Sequence, residues 1–260
     1  VLNNASSTFA GGVTVNGGTL QISGSSDSPL TKGPLGTGTL TIANGATFAN
    51  AGSASIANAL VLSGGTIRVT NNGNLQLRGD WTIAGGVNTI DKATGTQSSQ
   101  FCNTANPSSV TVTGNSTLNL VNNGGGTLNV GPFTGTWTLG AGLTFDGTVG
   151  TTISGVISGS GQTVTKNGTN TITLSNNSAT ASSYGSIVVN SGTLVLNRTD
   201  TTANTVGSIQ INGGTLQFNN ESALGSPSAI TVNGGFLQYT TNAALINTKT
   251  IVVNSGGGLS

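Results

Sequence analysis

The chain has 260 residues, 42 of them glycine, and its seven Lys or Arg and six Asp or Glu leave a formal net charge of +1. Charged residues make up 5% of it, against about 25% in an ordinary soluble domain, which excludes an electrostatic nucleic-acid binder built on a basic face. With no His and a single Cys102, common zinc sites, imidazole triads and any intramolecular disulfide lose their side chains, while 34% hydrophobic residues argue against disorder.

From the N-terminus, Val1-Leu2-Asn3-Asn4 lacks the basic-then-apolar order of a signal peptide, and no run approaches the ~18 apolar residues of a membrane span. The expectation is therefore no transmembrane segment and no leader in this chain. The first clear element is Val13-Thr14-Val15-Asn16-Gly17-Gly18-Thr19-Leu20-Gln21-Ile22. Two apolar-variable-apolar runs flank an Asn-Gly corner, so period-two alternation predicts strand, sharp bend, strand, each strand with one buried face. Looser copies follow at Leu40–Phe48 and Leu60–Val69, and Val110–Leu120 keeps the form with a shifted Gly. Asp91–Asn106 reads as a loop protruding from the body.

The cleanest copies come last: Ile187–Leu196, Ile209–Phe218, Ile230–Tyr239 and Ile251–Gly256. Their shared asparagines, Asn190, Asn212, Asn233 and Asn254, recur every 21 or 22 residues. Any one copy resembles a β-hairpin around Asn-Gly. Constant spacing of whole units instead suits stacked coils, since propeller blades repeat at about 40–50 residues and sandwiches need no self-similarity. The expected fold is all-β: a single-stranded β-helix, or β-solenoid, right-handed, with about 21 residues per coil and roughly twelve coils. Residues 1–260 are read as one elongated domain, less regular around 75–150. Neither end looks capped, so the chain is expected to be a segment of a longer array. In-phase asparagines at ~4.8 Å would bond coil to coil, and they are read as a structural ladder.

The stretch Ile153–Gly168, containing Gly159-Ser160-Gly161 and Val164-Thr165-Lys166-Asn167-Gly168, leads into Thr171-Ile172-Thr173-Leu174 and then the unit Ile187–Leu196. It resembles the recurring unit of bacterial autotransporter-associated β-strand repeat proteins. The match is specific over about 153–239, looser over 9–69, and absent from about 75–150. That resemblance implies a surface-exposed or secreted passenger β-helix, exported across the outer membrane through a separate barrel, and it brings no catalytic residue with it.

Candidate chemistry is sparse. Among the acids Asp27, Asp80, Asp91, Asp146, Asp200 and Glu221, the pair Asp200 and Glu221 follows Asn190 and Asn212 at nearly the same interval. Carboxylates on adjacent coils would approach the ~5–5.5 Å separation of a retaining glycosidase, although Arg198 could neutralise Asp200 as an ordinary surface pair. Thr-x-Thr runs raise an ice-binding lattice, but they are missing from the regular C-terminal coils. Trp81 and Trp137 fit core positions better than sugar-stacking ones. Cys102 reads as an inert thiol. The expectations are no catalytic, cofactor-binding or metal-binding residues, no enzyme and no cofactor. Expected partners are further copies of the chain or other surface components, with glycans as the alternative and nucleic acid excluded. The expected role is a structural extracellular stalk that self-associates into fibres or a sheath; a glycan-binding adhesin is the second reading, and a polysaccharide-cleaving enzyme the third.

Overall fold

A computed structural model describes residues 1–70, 73–92, 95–102, 107–241 and 249–260. The chain winds as a β-solenoid with three faces, each a stack of short strands paired in parallel with the coil before and the coil after. The first face carries Val13–Val15, Leu40–Ala43, Leu60–Ser63, Trp81–Ile83, Ser109–Val112 and Thr136–Leu139, then the start of Ile157–Lys166. The second runs from Thr19–Ile22 to Ile251–Val253 through eleven strands in unbroken register. Leu2 adds a bridge to Ile22 below them, giving the roughly twelve turns expected and, at ~4.8 Å per rung, a stack about 50 Å long.

The third face is interrupted. Ala54–Ile56, Asn74–Leu77, Ser99–Phe101 and Leu128–Val130 form a four-stranded sheet. A separate six-stranded sheet runs from Thr151–Ile153 to Gly258–Leu259. Among the described residues, the one β-bridge between the two is the isolated Phe133↔Ile153.

Strands form where the pattern demands. Inward residues of most runs are buried and their neighbours are not, as in Thr193–Leu196 and Thr215–Phe218, so successive coils add layers to one continuous apolar column. The two strands around an Asn-Gly corner lie on different faces, which disposes of the hairpin. At these corners Gly192 and Gly214 take φ of 64° and 65°, where a side chain is disfavoured by roughly 1–2 kcal/mol. A Cβ at Gly214 would also stand 2.4 Å from the carbonyl oxygen of Gly192 one coil earlier.

Coil length varies with position. Successive corner asparagines lie 23, 22, 21 and 21 residues apart from Asn167 to Asn254. Earlier contacts between adjacent coils span 27 residues for Asn115 to Gly142 and 30 for Thr89 to Asn119. The largest inward side chains sit in these longer coils. Trp81 packs against Phe101 and Phe133 with ring centroids 5.8 and 5.6 Å away, and Trp137 against Phe133 and Phe145 at 5.9 and 6.3 Å. Both indoles are essentially fully buried, as core packing requires.

The segment Asp91–Asn106 corrects the loop reading. Residues 93–94 and 103–106 lie outside the described residues. Asp91 and Lys92 end the strand Gly86–Lys92, and Ser99–Phe101 is a rung of the third face. Asp91 binds Arg68 at 3.1 Å and the Asn123 amide at 2.9 Å. The Lys92 ammonium donates to the carbonyls of Gly95 and Gly125. The charges of Asp91 and Lys92 are satisfied within the stack.

Candidate functional site

The corner asparagines form the ladder their spacing implies. The Nδ2 of Asn190 donates to Oδ1 of Asn167 at 2.9 Å, Asn212 to Asn190 at 2.9 Å, Asn233 to Asn212 at 2.8 Å and Asn254 to Asn233 at 2.7 Å. Each internal amide thus gives one bond down and accepts one from above. Asn167, which the spacing argument did not include, is the bottom rung.

The corner itself changes place along the rod. In the N-terminal half the strand-corner-strand unit joins the first face to the second, as in Val13–Val15 and Thr19–Ile22. In the C-terminal half the same unit joins the second to the third, as in Thr205–Ile211 and Thr215–Phe218. The transfer occurs at Ile157–Lys166, a ten-residue strand. Its Ile157 pairs with Trp137 on the first face and its Val164 with Leu143 on the second. It rounds that corner with a register shift between Gly159 and Thr163 and leaves the next corner to Asn167 and Gly168.

The acids of the enzyme reading each have a cation. Asp200 Oδ1 accepts from Arg198 Nη2 at 2.7 Å and from the Thr202 amide at 2.8 Å; the Arg198 bond, more than any other contact, lowers its pKa. Glu221 lies 3.5 Å from Lys249 and opens the short helix Glu221–Leu224, capped by Asn220. The surface-pair reading of Arg198 is corrected. Its side chain is 1% exposed, and it also donates to Asn204 Oδ1 and the Ser178 carbonyl, both at 2.9 Å. The carbonyl of Arg198 in turn accepts from Asn219 and Asn220. This is an internal clamp across three neighbouring loops. Among the described residues no group of three His, Cys, Asp or Glu is placed to hold a metal.

Inward polar residues are the feature that sequence reasoning missed. Lys166 occupies an inward column between Phe145 and Val189. Its ammonium donates to the carbonyls of Asn167, Gly168 and Ser191 around the corner. Burial lowers its pKa to about 8, against the opposing pull of Asp146. Asn58 donates to the carbonyls of Gly36 and Gly38 at 3.2 and 2.7 Å. Asn170 donates to those of Asp146 and Val149. These side chains satisfy carbonyls that a corner leaves without strand partners. Their one sequence signal is a polar residue interrupting an apolar column. Cys102 is buried, and burial raises its thiol pKa to about 12, so it is held unreactive.

The threonines of the first face form one outward file: Thr14, Thr41, Val61, Thr82, Thr111, Thr138 and Ser158 in register. Val61 breaks it. The fold and its repeated corners define the chain as a parallel β-solenoid repeat protein. No family model matches it, and comparison with curated proteins and with solved structures returns no significant match.

Proposed function

We propose that this chain is a structural, rod-forming segment of a bacterial surface protein, a passenger-type stalk exported across the outer membrane. The observation that carries the reading is the unbroken second face, in which eleven rungs pair each coil with the next. Load along such a rod is shared between backbone ladders and the Asn bonds at its corner. The resemblance of residues 153–239 to the autotransporter-associated repeat supports the location. A net charge of +1 supports self-association, since little repulsion separates neighbouring rods.

Protease shaving of intact cells of the native host tests the reading. The expected result is release of peptides from this chain without lysis, and recovery of the chain only from the cytosol would refute it. Sedimentation of the purified chain at increasing concentration tests association, with a strictly monomeric rod as the refuting outcome.

A further inference from the structure

Where the third face breaks, residues of the two sheets line a wide, open cleft of about 670 Å³. It is closed at one end, where Thr151 Oγ1 donates to the Val130 carbonyl at 2.8 Å and the Phe133 amide to the Thr152 carbonyl at 2.8 Å. It opens between Leu128 and Asn129 on one wall and Val149 and Gly150 on the other. Among the described residues Leu128–Val130 has a strand partner only on the N-terminal side, and Thr151–Ile153 has one only on the C-terminal side, its other edge meeting the isolated Phe133 bridge. Two strand edges therefore flank the opening, with the carbonyls of Val130 and Thr152 already taken by the bonds at the closed end.

The surface leading away from the cleft continues its chemistry. One outward file runs Thr152, Thr173, Val195, Gln217, Gln238, and beside it Thr171, Thr193, Thr215 lead to Phe236. Gln217 and Gln238 bond to each other at 2.7 Å, and Phe236 is 52% exposed. Neither file contains a charged residue, and none lines the cleft.

The geometry points to a binding site for a neutral polysaccharide, one end seated in the cleft and the chain lying along the axis toward Phe236. Hydroxyl and amide side chains match sugar hydroxyls, and an exposed aromatic ring at the far end offers a face for stacking. An uncharged track fits an uncharged chain and gives no purchase to a uronate or sulfated one. A peptide strand adding to the sheet is the poorer occupant, because Thr151 and Phe133 already tie the two sheets together at the closed end.

The inference does not rest on the stalk reading, because binding is measured on the isolated chain. The experiment is saturation-transfer NMR and calorimetric titration of the whole chain with hexasaccharides of glucose, mannose and N-acetylglucosamine, with a hexauronate and an extended Thr/Val-rich peptide alongside. At least one neutral hexasaccharide is expected to bind. Thr173→Lys and Phe236→Ser, both at outward positions, are each expected to weaken it about fivefold or more, the effect of one lost polar or stacking contact. Thr111→Lys on the first face serves as the control and is expected to bind as the parent does. Failure of all three neutral sugars, equal affinity in the Thr173→Lys and Phe236→Ser variants, or preference for the uronate or the peptide would each overturn the assignment.

Discussion

Replacing Asn212 by Ala removes two side-chain bonds at once, the one it donates to Asn190 at 2.9 Å and the one it accepts from Asn233 at 2.8 Å. A neutral hydrogen bond contributes about 0.5–1.5 kcal/mol net, and water can rehydrate the exposed partners, so the expected cost is about 1–2 kcal/mol. Asn254→Ala loses only its 2.7 Å bond to Asn233, and about half that cost is expected. The sharper test is a pair of double-mutant cycles. Asn212→Ala with Asn233→Ala removes one shared bond and should show a coupling of about 0.5–1.5 kcal/mol, whereas Asn190→Ala with Asn254→Ala shares none and should be additive within about 0.5 kcal/mol. Because stacked coils open locally, native-state hydrogen exchange of the amides in Thr205–Ile211 and Ile230–Val232 is the assay. Equal costs for Asn212→Ala and Asn254→Ala, together with equal couplings in the two cycles, would refute a side-chain ladder.

Trp137→Ala removes the ring between Phe133 and Phe145 in the aromatic stack of the longer coils and is expected to cost about 3–5 kcal/mol, read from the denaturant midpoint; a loss under about 1 kcal/mol would mean the indole is not packed there. Lys166 has its folded pKa lowered to about 8, so the folded state releases its proton first and stability should rise as pH climbs from about 8 toward the ordinary lysine value of ~10.4. Lys166→Met should flatten that rise between pH 8 and 9.5, below the range in which Tyr184, raised to about 12 by burial, adds the opposite trend. Asp27 accepts from the Thr31 hydroxyl and from the amides of Thr31 and Lys32, which lower its pKa to about 2. Its stabilisation is present above the ordinary aspartate value and lost as pH falls toward 2. Carbon-detected NMR titration should place Asp27 there in the parent and nearer the ordinary value in Thr31→Val.

The repeat was legible because each unit carries its own local instructions. Alternating apolar residues set the strands, and Asn-Gly set the bend, so the ladder at Asn190, Asn212, Asn233 and Asn254 could be read from spacing alone. The transfer of the unit from one pair of faces to the next could not. Val13–Ile22 and Ile209–Phe218 have the same local pattern, and which corner a unit occupies depends on the length of every turn before it. The cleft on the third face was hidden for the same reason, since it arises from a mismatch between two sheets rather than from a motif. Asp91 and Lys92 were misplaced because the stretch Asp91–Asn106 breaks the regular repeat and reads as a loop. In a corner-rich stack, backbone carbonyls near Gly95 and Gly125 receive the lysine and Arg68 receives the aspartate.

The migration of the corner unit at Ile157–Lys166 has a consequence for how such rods grow. If one strand-bend-strand segment fits equally on two different edges of the triangle, the edges are interchangeable parts. An array can then be lengthened or spliced by a third of a revolution as readily as by a whole one, provided a strand long enough to round a vertex is supplied at the joint. The seam so created leaves one side of the prism out of step, and that offset opens a recess on an otherwise smooth surface.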